Sequence, residues 1–561
     1  MRYDPAGLAI ARVVVVVAVC GLLGWLGHAA LTSPVPFDED EAAHANAALA
    51  VWQAGRVGDV RALAAATGGQ GYYPPVHSLL VATSYALGGA TLAASRVPSV
   101  VFLALALAAV ALAAQLCARR LGGGPPPPGE VAAAAPWSIA LITFATSPIV
   151  AEHSVLCMLE LLAVAGAGAV FLALTPVVTG AATGETESSA PQRSRWLAAG
   201  ALVSVLGIGV KYSFGLIEVC ALGAAALEPG WSRAPWRRAA RPVIHALTPP
   251  VVGFVLWLMV TDRSEVRYFF LGHPSYAPMV SVANLSFYPR AWLESYFVSR
   301  LVAVAVLLLA VVGARVGWRS AAVRFATFVI LVSWVMLTAS TTNEARHGIL
   351  MVPSATLLAS VGLRWLASRI SAPSRLAGVI ASVGWEALVL ASAVGFGLML
   401  PGTVRSAQEG LPEYDAMEAF VSRRVAPETP LLANGLFDQL GVDGLRWRLA
   451  RDHPDRAPVG AIRIGRYPID ATAASMAARR GFAVDPLWAD PELSAKSFDV
   501  IARSGRFRYV VQIIDRAGEL PNARWAEVAE VCRPARVARL DLGRWTVLVA
   551  DLARLAGGDD P

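Results

Sequence analysis

Four carboxylates in a row, Asp38-Glu39-Asp40-Glu41, stand directly after the first long apolar run of a chain in which only 16% of residues are charged. A carboxylate beside a bilayer can act as a general base, taking the proton of an acceptor hydroxyl as that oxygen attacks carbon. The plain alternative is an acidic helix start, with Asp38 as cap and Glu41 in the first turn, where the helix dipole favours negative charge. A second candidate stretch reads Thr146-Ser147-Pro148-Ile149-Val150-Ala151-Glu152-His153-Ser154, and its next acid is Glu160. Two cations complement these acids. Lys211 is one of only two lysines among 47 basic residues, and an ionisable group inside an apolar segment is a functional candidate. Its alternative is a side chain snorkelling to the surface. Arg346, in Thr342-Asn343-Glu344-Ala345-Arg346-His347, carries a guanidinium able to fork two phosphate oxygens.

These residues fall between long apolar segments. The 561-residue chain is 56% hydrophobic, with mean hydropathy +0.54. About twenty apolar residues cover a hydrocarbon core of roughly 30 Å. By that rule spans are expected near 8–31, 97–117, 132–147, 160–178, 196–210, 213–228, 245–262, 301–314, 324–341, 348–364 and 377–400. The first is too long for a signal-peptide core and lacks a small-residue cleavage site, so it reads as a retained anchor. Arginines gather in every second connection, which puts the N-terminus inside and the acidic stretch outside. Residues 75–94 are expected to lie along the outer surface, apolar on one side, with His77, Ser78 and Ser84 on the other. The loop 263–300 holds Tyr268, Phe269, Phe270, Tyr276, Tyr288, Trp292 and Tyr296, and reads as an aromatic belt at the interface.

After about residue 401 the composition turns polar. Short β-prone runs at Leu431–Ala433, Ala461–Ile464, Tyr509–Ile514 and Thr546–Val549 alternate with helix-like segments such as Ala471–Arg480 and Ala523–Val531. The expected fold is an α-helical polytopic membrane protein of about 11 transmembrane helices with a C-terminal soluble α/β domain. The division falls into 1–400, with an external loop 32–96, and 401–561. An odd number of spans puts the second part outside the cytoplasm, in a multi-pass protein of the cell membrane. Net charge is +7, but the arginines sit at helix ends rather than in one patch, which argues against a nucleic-acid partner. Five isolated cysteines offer neither metal spacing nor a disulfide framework. The acids could take a divalent cation, though no His/Asp cluster demands one, and no cofactor is called for.

The order of these elements carries a resemblance. Asp40-Glu41-Ala42-Ala43-His44 is followed by Tyr72-Tyr73-Pro74-Pro75 and then by Arg96-Val97-Pro98-Ser99, which opens the next apolar segment. This resembles the first external loop of the protein mannosyltransferase and aminoarabinose transferase families of the C-type glycosyltransferase superfamily, over roughly residues 8–365. The resemblance implies an inverting transfer of a hexosyl or pentosyl unit from a polyprenyl-phosphate donor to an acceptor glycan, lipid or protein outside the cytoplasm. It makes Asp40 the base, with Glu41 beside it and Asp38 and Glu39 as alternates. Glu160 matches the acid that follows Ser-Pro and His-Ser in these families, although the arginine usual after His-Ser is Val155 here. Lys211-Tyr212 matches a recurring lysine, and Arg346 matches an Arg-Tyr element in which His347 replaces tyrosine. Lys211, Arg346, His347, Arg96 and Tyr73 would then contact the lipid phosphate or the sugar. A polytopic transporter or lipid-handling protein is the competing reading, and it predicts charges near mid-membrane and inverted repeats.

Overall fold

The computed structural model describes residues 5–33, 37, 39–68, 75–121, 136–169, 281–339, 344–370, 412–434, 442–453, 459–461, 496–515, 523–543 and 545–556, with isolated positions that include Lys211 and Gly215. The expected spans at 196–210, 213–228, 245–262 and 377–400 lie wholly or mostly outside these residues, as does the helix-like segment Ala471–Arg480. The chain is mostly helical with one sheet. In order come α1 (Pro5–Thr32), α2 (Glu39–Val57), α3 (Val60–Gly68), α4 (Val76–Gly88), α5 (Leu92–Leu121), α6 (Pro136–Ala145) and α7 (Pro148–Ser154). Then follow α8 (Val282–Glu294), α9 (Arg300–Val316), α10 (Ala321–Ala339) and α11 (Met351–Ile370). The last part holds α12 (Pro412–Arg424), β1 (Leu431–Asn434), α13 (Val442–Asp452), β2 (Val459–Ala461), α14 (Phe498–Arg503), β3 (Tyr509–Asp515), α15 (Ala523–Cys532), β4 (Arg536–Leu542), β5 (Trp545–Asp551) and α16 (Ala553–Ala556).

Two compact units share these elements. The first takes Met1–Ala30, Pro98–Trp257 and Ser275–Val404; the second takes Leu31–Val97, Leu258–Pro274 and Arg405–Pro561. In the first, α11 packs on α6, α9 and α10. The α9–α11 crossing is close because both helices carry glycine there: a Cβ on Gly313 would meet the Leu358 carbonyl, and one on Gly362 the Leu309 carbonyl. Helix α9 starts where the Ser299 hydroxyl accepts from the Val302 amide at 3.3 Å. It buries Val302, Ala303, Val306 and Ala310 on one face. Its other face exposes Leu301, Leu308 and Val311, so the helix is apolar all round, as a membrane helix is and a soluble surface helix is not. Among the described residues one stretch, Leu92–Gln115, is long and apolar enough to cross a membrane, and shorter apolar helices include Val16–Thr32, Glu160–Ala169, Ala322–Thr338 and Met351–Leu366.

The second unit joins α2, α3 and α4 to a five-stranded sheet of order β2-β1-β3-β5-β4. Strands β1, β2 and β3 run parallel, while β5 pairs antiparallel with β3 and with β4. Strand alternation sends Val511 and Ile513 to one face, where Met417, Val421, Leu445 and Leu449 of α12 and α13 cover them. Leu432, Val510 and Ala550 point the other way, against Phe498, Ile501, Val528 and Cys532 of α14 and α15. Both faces are thus buried, which explains the apolar runs read as strands in the sequence. Strand β4 is a sheet edge, and its Arg536, Arg539 and Asp541 sit among small and aliphatic residues. It was not anticipated because charge on an edge strand hides the β pattern.

Candidate functional site

In the second unit, Asp40 and Glu41 lie in the first turn of α2. Asp40 is half-buried, and Glu41 is buried. The Arg96 guanidinium donates through Nε to Glu41 Oε1 at 3.1 Å and through Nη2 to Oε2 at 3.2 Å. Both side chains are almost fully buried, 1% and 2% exposed. Arg96 also lies over the ring of Phe37, 5.6 Å from its centroid. A two-pronged buried pair of this kind fixes both members, and removing one partner alone costs about 3–5 kcal/mol because the other charge stays buried. Both Glu41 oxygens accept from the guanidinium, so Asp40 is the better exposed of the two carboxylates. One turn on, His44 stacks edge-on against His77 of α4, with ring centroids 4.9 Å apart. His77 and Ser78 are therefore buried on α4 together with Val81, Ala82 and Tyr85, rather than on the face away from the apolar residues, while Leu79 and Leu87 point outward. Asp38 and Tyr73 lie outside the described residues, and Glu39 is described in backbone only.

In the first unit, Glu160 opens an apolar helix and is buried. Lys211 Nζ donates to Glu160 Oε1 at 2.8 Å, and among the described residues Glu160 Oε2 has no hydrogen-bond partner. Arg346 lies within electrostatic reach of this carboxylate. Arg346 sits in the short turn Ala345–Gly348, its Nε 2.5 Å from Glu344 Oε2, and His347 Nε2 approaches the same oxygen at 4.0 Å. Residues 160 and 211, widely spaced in sequence, thus pair directly, and Arg346 lies within electrostatic reach of the same carboxylate. Glu152, the other acid of that loop, is exposed on α7.

Aromatic residues hold the Arg346 turn in place. The Tyr296 hydroxyl donates to the Ala345 carbonyl at 2.9 Å, and the Tyr288 hydroxyl to the Glu344 carbonyl at 3.5 Å. Trp292 Nε1 donates to the Ala303 carbonyl at 3.0 Å. Burial pushes both phenols above their ordinary range, helped at Tyr288 by the Glu344 charge, so both remain protonated donors. Gly348 has no room for a side chain, because a Cβ would meet the Tyr296 hydroxyl. The sequence places these aromatics at an interfacial belt, whereas Tyr288, Trp292 and Tyr296 turn inward. Their hydroxyl and indole N–H groups allow this, since each finds a carbonyl. Among the described residues, no group of three or more His, Cys, Asp or Glu stands close enough to hold a metal ion.

The sequence matches no protein-family model and no curated protein. Solved structures do match. ArnT from Cupriavidus metallidurans in the apo state superposes with TM-score 0.59 at 16% identity, covering 97% of this chain and 99% of that one. The same enzyme bound to undecaprenyl phosphate gives TM-score 0.58 at 15% identity, over 97% and 99%. An Archaeoglobus fulgidus oligosaccharyltransferase tethered to an acceptor peptide with the NVT sequon gives TM-score 0.50 at 10% identity, over 90% of this chain and 69% of that one. The chain shares its fold with ArnT and with this oligosaccharyltransferase. At these identities the likeness speaks to fold, and any chemistry rests on the side chains described above.

Proposed function

We propose that the chain is a membrane glycosyltransferase that moves a sugar from a polyprenyl-phosphate donor to an acceptor glycan, lipid or protein on the extracytoplasmic side. The observation that carries this is the pairing of Lys211 with buried Glu160, with Arg346 in electrostatic reach of that carboxylate, in a fold shared with ArnT, whose structure holds undecaprenyl phosphate. Asp40 takes the acceptor proton while the acceptor oxygen bonds to the anomeric carbon. The bond from that carbon to the phosphate oxygen breaks on the opposite face, with inversion, and its electron pair leaves with the phosphate. Lys211 and Arg346 stabilise that charge at a partly dry site, where cations act strongly. Glu160 orients Lys211, the Glu41–Arg96 pair fixes the helix start that carries Asp40, and His347 and Tyr73 border the sugar or phosphate.

The same reading gives eleven spans, an N-terminus in the cytoplasm and an extracytoplasmic α/β domain from about residue 401. The experiment is mass spectrometry of lipids extracted from the purified protein. A polyprenyl phosphate carrying one sugar, enriched over membranes lacking the protein and lost from a Lys211→Ala/Arg346→Ala variant, is the expected result. Equal lipid profiles from both proteins would contradict it.

A further inference from the structure

We propose that Trp447, on the C-terminal α/β domain, is a positioning residue for the acidic start of α2. Helix α13 uses Leu445 and Leu449 to cover the sheet, and Trp447 projects from another face and is not part of that core. It is nonetheless 1% exposed, and its ring meets that of Phe37 edge-on, with centroids 4.8 Å apart. Phe37 in turn lies beneath Arg96, which grips both oxygens of Glu41. A second route runs through hydrogen bonds. Trp447 Nε1 donates to the Tyr85 hydroxyl at 3.3 Å; that hydroxyl is 2.7 Å from Ser95 Oγ, and Ser95 Oγ donates to the Thr91 carbonyl at 2.9 Å. Ser95 is the neighbour of Arg96. One indole therefore supports the guanidinium from its aromatic side and from its backbone side. Arg451 lies over the indole, 4.8 Å from the ring centroid, and Gln53 Nε2 donates to the Ala450 carbonyl at 3.3 Å, tying α13 further along α2. Buried aromatic stacks and fully satisfied polar chains are rigid, and rigidity is what a base needs to stay within reach of its proton.

The kinetic consequence rests on the proposed transfer reaction, but the mechanical one does not, and the test separates them. Full-length protein in lipid nanodiscs is followed by hydrogen exchange. In Trp447→Ala, amides 39–45 are expected to exchange roughly tenfold faster, while strands 509–515 and 545–551 keep their protection. With undecaprenyl phosphate linked to mannose or to aminoarabinose as donor, kcat is expected to fall about 10- to 100-fold from misplacement of the base. KM for the donor should stay within about twofold, and Trp447→Phe, which keeps the ring on Phe37, should recover most of the rate. Unchanged exchange at 39–45 in Trp447→Ala with a protected sheet overturns the proposal, as does faster exchange with unchanged kcat. Should Trp447→Ala lose sheet protection, Phe37→Leu puts the same question from outside the sheet, with the same two readouts. With a wild type that transfers neither sugar, the exchange result decides the positioning by itself.

Discussion

At the scale of single residues, Glu41 and Glu160, one in each unit, each pair with a cation, and the pairings differ in what they leave available. Glu41 is closed by Arg96 on both oxygens, whereas Asp40 beside it keeps partial exposure. Asp40→Asn keeps size and hydrogen bonding but removes basicity, so the transfer rate should fall by about 10²–10⁴-fold with the fold intact. Turnover close to wild type in the purified variant would move the base to another acid. Lys211 and Arg346 both act on Glu160, so they should not behave as independent surface charges. Alanine at each is expected to weaken donor binding, and the double variant should lose less than the sum of the single free-energy changes. Strict additivity with unchanged donor affinity would return both to interfacial anchors. Lys211 and Arg346 stood out in the sequence by rarity and placement. The Arg96–Glu41 pairing did not, because 55 residues separate its members and nothing local marks them as partners.

At the scale of elements, the apolar helices and the sheet core were legible, their ends only to within several residues, and the elements with mixed character were not. β1, β3 and β5 announce themselves as apolar runs because both faces of the sheet are covered. The edge strand β4 and the aromatic-rich α8 read as something else because their charges and rings suit two environments. The α9–α11 crossing gives a clear test. Gly313→Val would press a side chain into the backbone of α11, an overpacking worth about 1–3 kcal/mol or more, and should lower the thermal midpoint. Gly21→Ala and Gly24→Ala inside α1, with nothing within 4 Å of the added Cβ, should leave that midpoint in place or raise it slightly, since alanine favours the helix. Equal midpoints for Gly313→Val and wild type would mean the helices are further apart. On α15, burial pushes the Cys532 thiol up to about 12. At pH 8 only about 10⁻⁴ of it is thiolate, so iodoacetamide should label it slowly in the folded protein and more readily as pH rises. Fast labelling at pH 8 would show the helix opening from the sheet.

At the scale of the whole molecule, transfer outside the cytoplasm requires a fixed orientation. A reporter active only outside the cytoplasm should work when fused after residue 405 and stay silent when fused near residue 185. A silent fusion after 405 would change the number of crossings and move the α/β domain inside. The transporter reading and the transferase reading part most sharply over the fate of the donor lipid. Purified protein is sealed into liposomes with the sugar-linked polyprenyl phosphate that it retains, an acceptor extract is added, and the lipid is followed with time by mass spectrometry. The account predicts that free polyprenyl phosphate accumulates as the sugar leaves for the acceptor, and that Asp40→Asn liposomes convert it about 10²–10⁴-fold more slowly. Donor lipid that stays chemically intact while crossing from one leaflet to the other would contradict it.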